Sequence, residues 1–213
     1  MALRRGLQLA LVAALALAVA GCGGGGSKKN ALNCEVFNGS PTGSRKEAPP
    51  TQGLAAGKHY SVTLKTNYGS FSFSLAMKES PNTTASFVYL VDKGFFNGLI
   101  FHRIIPGFVI QGGDPTGTGQ GGPGYECVDP PPGTASYTHG VVAMAKTEDE
   151  TAGTSGSQFF VVTVANAELP PDYAILGNVT SGLSVVDELG TFGSASGMPT
   201  KRVVIEKATV HVS

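Results

Sequence analysis

The stretch FHRIIPGFVIQGGDP, residues 101–115, decides the fold and holds the most unusual residues of the chain. It predicts two short apolar strands on either side of Pro106-Gly107, a dipeptide that interrupts regular structure. Each strand carries one polar group that a buried strand does not need, Arg103 in the first and Gln111 in the second. These two side chains therefore require either a route to water or a role in a site.

The rest of the chain from residue 58 onward predicts an all-β domain. Short β-branched and aromatic runs alternate with Gly, Pro and Asn, which is typical of strands joined by turns. HYSVTLKT and GSFSFSLAM flank Asn67-Tyr68-Gly69, a β-hairpin pattern. Further strands are predicted at GVVAMA, SQFFVVTV, YAILGNV and RVVIEKATVHV.

Helical spacing occurs in two segments, SPNTTASFVYLVDKG and SGLSVVDEL. We expect Asn82 or Thr83 to cap the first helix, Gly94 to end it, and Ser181 to cap the second. About eight strands with two helices predict a closed eight-stranded antiparallel barrel with a helix at each end, because closure removes exposed strand edges.

Both faces of the strands around the opening stretch are largely apolar. Alternation in LIFHRII places Phe101 and Arg103 on one face and His102 on the other, and in SQFFVVTV it separates Phe159 from Phe160. One face must fill the core. The other either forms an apolar binding groove, or is covered by helices while Arg103 reaches out to water.

Charge and residue spacing exclude several classes of function. The 213 residues have a formal net charge of zero with only 15 Lys and Arg, so we expect no nucleic-acid partner. The four histidines show no metal-ligand spacing, and neither Cys34 nor Cys127 belongs to a C-x-x-C pair. We therefore expect no metal and no cofactor.

Three local motifs also favour structural roles. Residues 117–122 match the dinucleotide pattern G-x-G-x-x-G, but Pro123-Gly124 follows where a helix is needed. Ser155 lacks the second glycine of a nucleophile elbow. The acidic run from Glu148 to Glu150 could attract a cation, but a solvated loop is the better interpretation.

The first 21 residues resemble a bacterial lipoprotein signal peptide. Arg4 and Arg5 precede an apolar run, and Val19-Ala20-Gly21-Cys22 resembles a lipobox with cleavage before Cys22. A plain secretory signal or an uncleaved anchor is the alternative, although the apolar run is shorter than the ~20 residues that span a bilayer. The expected product is lipidated on Cys22 and anchored to the cell membrane outside the cytoplasm.

Residues 22–57 are rich in Gly, Ser, Thr and Pro, a composition that predicts a flexible tether. Cys34 falls within it, and Cys127 lies far along the chain. Outside the cytoplasm such a pair is plausible as a disulfide, which would join the end of the tether to a loop of the domain. Two unpaired thiols are the alternative.

Four blocks identify a resemblance to a known family. FHRIIPGFVIQGGDP, GTGQGGPGYE, VVAMA and GSQFFV follow one another as in cyclophilin-type peptidyl-prolyl cis-trans isomerases, and the resemblance covers residues 58–213. It implies an eight-stranded barrel with two helices, and an enzyme that binds proline-containing polypeptides as a monomer.

The resemblance also implies the site residues. The catalytic set is Arg103, Gln111 and Phe160; the substrate-binding set is Phe108, Val109, Ala145, Lys146, Gln158, Leu169 and Tyr173.

This chain departs from the family pattern at several of these positions. Val109 is often methionine in the family, Tyr173 is often histidine, and Lys146 is asparagine in many eukaryotic members. Glu168 stands where cyclosporin-sensitive members have tryptophan, so strong cyclosporin binding is not expected. The loop from Lys146 to Gly156 is longer than usual, and its acidic tip is expected to bias the choice of peptide.

Two functions are compatible with these residues. The first is an isomerase that accelerates the folding of exported proteins, and the second is a binding module that holds proline-containing peptides without needing turnover. Arg103 favours the enzyme, since a pure binder would not require a fixed, always charged donor.

Overall fold

The computed structural model describes residues 32–36 and 43–213, which form eleven strands and two helices. The predicted signal peptide 1–21 and Cys22 lie outside the described residues. The helices are Pro81–Asp92 (α1) and Leu183–Gly190 (α2). The strands are Cys34–Val36 (β1), Tyr60–Thr66 (β2), Gly69–Leu75 (β3), Phe101–Ile105 (β4), Val109–Gly112 (β5), Tyr125–Val128 (β6), Val141–Met144 (β7), Thr154–Ser155 (β8), Phe159–Val162 (β9), Ile175–Ser181 (β10) and Ile205–Val212 (β11).

Eight strands form the main antiparallel sheet, in the order β11-β2-β3-β10-β7-β9-β5-β4. The predicted all-β architecture with two helices is confirmed, but "closed" overstates it. The edges β11 and β4 meet only through the isolated bridge Ile100–Val204 and neighbouring backbone bonds such as Phe101 N–H to Val203 O, 3.0 Å. These contacts lie at or just before the first residues of both edge strands, so the sheet is a half-barrel whose ends touch at one corner.

The hairpin between β2 and β3 follows the predicted turn. Thr66 pairs with Gly69, and Asn67 and Tyr68 form the two-residue connection. The Thr66 hydroxyl donates to the carbonyl oxygen of Gly69 at 2.8 Å and accepts the Tyr68 N–H at 3.1 Å. The threonine side chain thus satisfies backbone groups that the tight turn leaves without ladder partners.

The N-terminus of α1 differs from the prediction. Ser80 is the N-cap residue and Pro81 the first helical residue, where its fixed φ suits the helix. The free N–H of Thr83 donates instead to the Asp129 carboxylate at 2.6 Å. Asn82 donates to the same carboxylate at 2.6 Å. The predicted cap was wrong because Asp129, 46 positions beyond Thr83, supplies the acceptor. The predicted end is confirmed: the helix ends at Asp92, and Gly94 lies just beyond it.

The start of α2 was also predicted incorrectly. Ser181 is the last residue of β10, and Gly182 is the N-cap, with a left-handed φ of 73°. A Cβ atom at residue 182 would collide with the carbonyl oxygen of Ser70. Close packing of α2 on β3 therefore selects glycine over a side-chain cap at this position.

The central strands bury apolar side chains on both faces. The inner face packs against α1 and α2 in one large cluster, to which Phe159 and Val161 belong. Phe160 and Val162 belong to a separate cluster on the outer face. The alternation predicted for β9 is confirmed.

Strand β4 departs from simple alternation. Phe101 pairs with Gly112 and Arg103 with Gln111, so the pairing shifts by one residue at His102. This β-bulge turns both Phe101 and Ile104 into the core, 1% and 0% exposed, while Arg103 faces outward. The prediction that Phe101 and Arg103 share one face was therefore wrong.

Within the predicted tether 22–57, the described residues 32–36 and 43–57 make specific contacts with the domain. Strand β1 pairs with β6, and β6 pairs with β8, to form a second, three-stranded sheet. Cys34 and Cys127 face each other in that sheet and their sulfur atoms are bonded. Residues 43–57, which we call the N-terminal arm, lie against the domain, with Leu54 packed on the main core. The composition predicts flexibility, whereas these described residues contact the domain at defined positions.

Candidate functional site

A cavity of about 400 Å³ opens on the outer face of β4, β5 and β9, and we call it the cup. Its lining residues are Arg103, Phe108, Val109, Gln111, Ala145, Lys146, Thr147, Glu148, Phe160, Leu169 and Tyr173. Every site residue predicted from the sequence lies here except Gln158, which lies directly behind Gln111. The cup also contains Glu148 from the acidic run and Thr147, to which no pattern in the sequence points.

The floor of the cup is apolar and closely packed. Phe160 is 5% exposed and Val109 is 2% exposed. Tyr173 meets Phe160 edge to face with ring centroids 5.5 Å apart, and Tyr137 supports both rings from below at 6.3 and 5.8 Å. The Tyr137 hydroxyl donates to the carbonyl oxygen of Tyr173 and accepts its N–H. A small saturated ring could be gripped here by apolar contact alone.

One hydrogen-bonded series of side chains holds the polar wall of the cup. Arg103 Nη1 donates to Gln111 Oε1 at 3.2 Å, and Gln111 Nε2 donates to Gln158 Oε1 at 3.1 Å. Gln158 Nε2 donates to the carbonyl oxygens of Gly119 and Gly121, both at 3.0 Å. We call this series the glutamine relay. The two glycine carbonyl groups can only accept, so they fix the side-chain amide of Gln158 with its NH2 group toward them. Gln158 in turn fixes the amide of Gln111, whose oxygen then faces Arg103.

The loop after α2 packs against the aliphatic part of the Arg103 side chain. Gly197 has a left-handed φ of 82°, and a Cβ atom there would lie 3.2 Å from Arg103 Cγ. Ile104 N–H donates to the Gly197 carbonyl oxygen at 2.9 Å, which keeps the loop against β4. Within residues 32–36 and 43–213, no carboxylate lies within 4.0 Å of the guanidinium. Arg103 therefore keeps most of its donors and its charge available to the cup.

The residue behind Arg103 is the bulged His102. Burial lowers the pKa of His102, Asp114 opposes this effect, and Arg103 adds to it. Both ring nitrogens are buried without a partner among the described residues. A neutral imidazole at this position avoids a second positive charge beside the guanidinium.

Residues 113–124, the Gly-rich loop, border the cup beyond Gln158. Burial alone would raise the pKa of Asp114, but hydrogen bonds from Thr116 and from the backbone of Gly119 and Gly121 lower it overall. The ionised carboxylate thus fixes the first half of the loop. The loop leads into β6 and not into a helix, so the G-x-G-x-x-G pattern has no helix N-terminus behind it.

A second cavity of about 340 Å³ adjoins the cup and shares Gln111, Ala145, Lys146 and Thr147 with it. The Gly-rich loop, Gln158 and two glutamates complete its wall. Burial, and then the neighbouring Glu150, raise the pKa of Glu126 to about 7. The loop from Lys146 to Gly156, which carries the acidic run, therefore places the carboxylate of Glu150 in the wall of the second cavity. We call it the acidic loop.

Lys146 lies between the two cavities. Its Nζ donates to the carbonyl oxygens of Thr147 and Glu150 at 3.0 and 3.1 Å, and lies 5.7 Å from the centre of the Tyr173 ring. Glu168, next to the cup residue Leu169, has a φ of 53°, and its N–H donates to the side chain of Asn166 at 3.1 Å. The tryptophan position of the family is thus an acidic turn residue in this chain.

Residues 61–210 match the family model for cyclophilin type peptidyl-prolyl cis-trans isomerases. The chain belongs to this family. A peptidyl-prolyl cis-trans isomerase of Helicobacter pylori is 41% identical over 131 residues, which are 60% of this chain and 78% of the relative. The peptidyl-prolyl cis-trans isomerase-like 1 protein of Gibberella zeae is 38% identical over 154 residues, 70% of this chain and 93% of the relative.

Solved structures agree with this assignment. The crystal structure of a cyclophilin type isomerase of Cryptosporidium parvum has a TM-score of 0.66 and 32% identity, and the match covers 72% of this chain and 98% of that one. A second crystal structure of that protein, in the presence of the dipeptide Ala-Pro, has a TM-score of 0.63, with 71% of this chain and 98% of that one covered. This chain is thus a cyclophilin-type isomerase. Its residues 32–36 and 43–57 lie outside the family match.

Proposed function

We propose that this cyclophilin acts on X-Pro bonds of exported polypeptides, and that the cup and Arg103 carry the reaction. An X-Pro amide must cross a barrier of ~18–20 kcal/mol because resonance is lost when the bond twists. No covalent bond is made or broken. The enzyme therefore needs only to bind the twisted amide more tightly than either planar isomer, and each tenfold gain in rate requires about 1.4 kcal/mol.

In this proposal the cup grips the proline ring, with walls from Phe108, Val109, Phe160 and Leu169. Arg103 donates hydrogen bonds to the prolyl carbonyl oxygen and favours the pyramidal nitrogen of the twisted amide. Arginine suits this role because its planar fork of donors is always charged and is fixed in direction. The observation that carries the proposal is the position of Arg103, held over the apolar floor by Gln111 at 3.2 Å without a carboxylate partner in the described chain.

An isomerisation assay on a proline peptide tests this function. The full-length protein is compared with Arg103→Ala and with Arg202→Ala, which removes the same charge at an exposed site. We expect Arg103→Ala to lower kcat/KM by about a hundredfold, the loss of about two charge-assisted hydrogen bonds in the transition state, and Arg202→Ala to leave it unchanged. Equal rates for all three proteins would refute the catalytic assignment. If the wild type and both variants bind the peptide but none accelerates its isomerisation, the binding module is favoured.

The extracytoplasmic location forms the second part of the proposal. Its support is the lipobox-like Val19-Ala20-Gly21-Cys22 and a disulfide, Cys34–Cys127, of the kind that persists in oxidising compartments. Within the described residues, neither helix has the length and apolar character to cross a membrane. Lipid on Cys22 would then anchor the enzyme to the cell membrane, with the disulfide joining the anchored end to the domain.

Mass spectrometry of the mature protein tests the anchor. We expect an N-terminal peptide that begins at Cys22 and carries the mass of acyl chains, and we expect Cys22→Ser to release the protein from the membrane fraction. A free N-terminal residue other than Cys22 would contradict lipidation without affecting the assignment of the isomerase site.

A further inference from the structure

The N-terminal arm contacts the outer side of the Gly-rich loop. The backbone N–H of Glu47 donates to the carbonyl oxygen of Pro123 at 2.8 Å. The N–H of Gly122 donates to the Ser44 hydroxyl at 3.4 Å. These two contacts lie directly beside Gly121, whose carbonyl oxygen accepts a hydrogen bond from Gln158 on the inner side. The same short stretch of loop is thus held from both sides.

The loop needs such support in its second half. Asp114 holds residues 116 to 119 through hydrogen bonds from Thr116, Thr118 and Gly119, and beyond them it is bonded only by the backbone of Gly121 among the described residues. Beyond residue 119 the sequence is Gln-Gly-Gly-Pro-Gly, in which the glycines have no side chains to pack and lose the most conformational freedom when ordered. In the described structure, the bonds to Gln158 on one side and to the arm on the other restrain this half of the loop.

The arm itself is firmly attached. The Arg45 guanidinium donates to the carbonyl oxygens of Phe95 and Asn97 and lies over the Phe95 ring, 5.9 Å from its centre. Further along the arm, Leu54 packs on the main core. Two anchors therefore flank Glu47, which fixes the position of its N–H relative to the domain.

These contacts form one continuous series from the arm to the cup. It runs from the Glu47 N–H to Pro123, through Gly121 to Gln158, then through Gln111 to Arg103. We infer that the N-terminal arm is a positioning element of the active site, which fixes the Gly-rich loop and, through the glutamine relay, the direction of the Arg103 guanidinium. The arm precedes residue 61, where the family match begins, so this role belongs to this chain and rests on the proposed function of Arg103.

A matched pair of substitutions isolates the contact. Glu47→Pro removes the backbone N–H that binds Pro123, whereas Glu47→Ala removes the side chain and keeps the N–H. In the full-length protein we expect Glu47→Pro to lower kcat/KM by about threefold to tenfold, the factor for one hydrogen bond, with the loss in kcat and little change in KM. Glu47→Ala should match the wild type. The NMR signal of the Arg103 Nε–H should move in Glu47→Pro alone.

A double-mutant cycle with Gln158→Ala tests the route. If the arm acts through Gln158, Glu47→Pro has no further effect in the Gln158→Ala background. Equal kcat/KM for Glu47→Pro and Glu47→Ala, or effects that multiply in the double mutant, would overturn the inference. If Glu47→Pro loses the native circular dichroism spectrum, Arg45→Ala, which frees the arm from Phe95 and Asn97, replaces it in the same cycle. A wild type without isomerase activity would instead refute the proposed function.

Discussion

Both faces of the central strands bury apolar side chains, yet the two faces have different surroundings. Phe159 and Phe160 are adjacent in β9, and both are nearly inaccessible, 0% and 5% exposed. Phe159 lies among the rings of Phe87, Phe96 and Phe101 in the core. Phe160 lies under the open cup, with Tyr137 and Tyr173 as its neighbours.

This difference shows that burial alone does not distinguish a core residue from a site residue. The outer face is distinguished by the polar side chains beside its apolar groups: Arg103 and Gln111 line the cup together with Phe160. The inner face, in contrast, packs against α1 and α2. In the described structure the apolar face around Phe160 opens into the cup, and Arg103 keeps donors beyond its bond to Gln111, an arrangement typical of ligand-binding surfaces.

The largest predicted effect separates the two phenylalanines. Phe159→Ala should lower the free energy of unfolding by about 3–5 kcal/mol, since it leaves a cavity inside a packed aromatic cluster. Phe160→Ala should cost about 1–2 kcal/mol, because the space opens into the cup, and should raise KM about tenfold. Urea unfolding and peptide kinetics on both variants measure this. Equal losses of stability, with KM unchanged in Phe160→Ala, would remove the distinction between the faces.

The next effect concerns the polar part of the outer face. Gln111→Ala should lower kcat/KM about tenfold, since Arg103 then loses the acceptor that directs it, while the unfolding free energy changes by less than about 1 kcal/mol. Asn178→Ala, an exposed amide on β10, is the control and should behave like the wild type. An unchanged rate in Gln111→Ala would show that Arg103 needs no positioning by the relay.

The smallest predicted effect is a change with pH in the free energy of unfolding, caused by Glu126 in the second cavity. The pKa of Glu126 rises from 4.5 to about 7 on folding, so the folded protein binds more protons between these values and its stability falls as pH rises. The charged groups around Glu126 are Glu150, which acts on it directly, Glu35, its pairing partner in β1, and Lys146, which lines the same cavity.

The Glu126→Gln variant should thus match the wild type at pH 4 and exceed its unfolding free energy by about 1 kcal/mol at pH 8, a value reduced for partial solvent exposure. Urea unfolding at both pH values measures this, with Glu188→Gln, an exposed site on α2, as the control for charge. A Glu126→Gln advantage of the same size at both pH values would contradict the raised pKa.

Local patterns in the sequence predict most of the fold, and the resemblance to the cyclophilin family implies most residues of the cup. Alternation places Phe159 and Phe160 on opposite faces of their strand, and the hairpin turn at Asn67-Tyr68 follows from its residue types. The features that were missed depend on distant residues. The bulge at His102 arises from how β4 pairs with β5. The acceptor at the start of α1 comes from Asp129.

The same limit applies to the site. Arg103, Gln111 and the apolar floor belong to recognisable blocks of sequence, whereas the meeting of Glu126 with Glu150 depends on where the acidic loop folds back. The arm is the clearest case. Its composition predicts flexibility, and only the three-dimensional contacts of Arg45 and Glu47 reveal an ordered segment.

The most direct test of the central claim is NMR exchange spectroscopy on an Ala-Pro peptide with a catalytic amount of enzyme, because it records binding and cis-trans exchange in one sample. For Arg103→Ala we predict that peptide signals still shift on binding, since the cup is intact, while exchange cross-peaks between the cis and trans forms fall to the uncatalysed level. Exchange cross-peaks of wild-type intensity in Arg103→Ala would contradict the account.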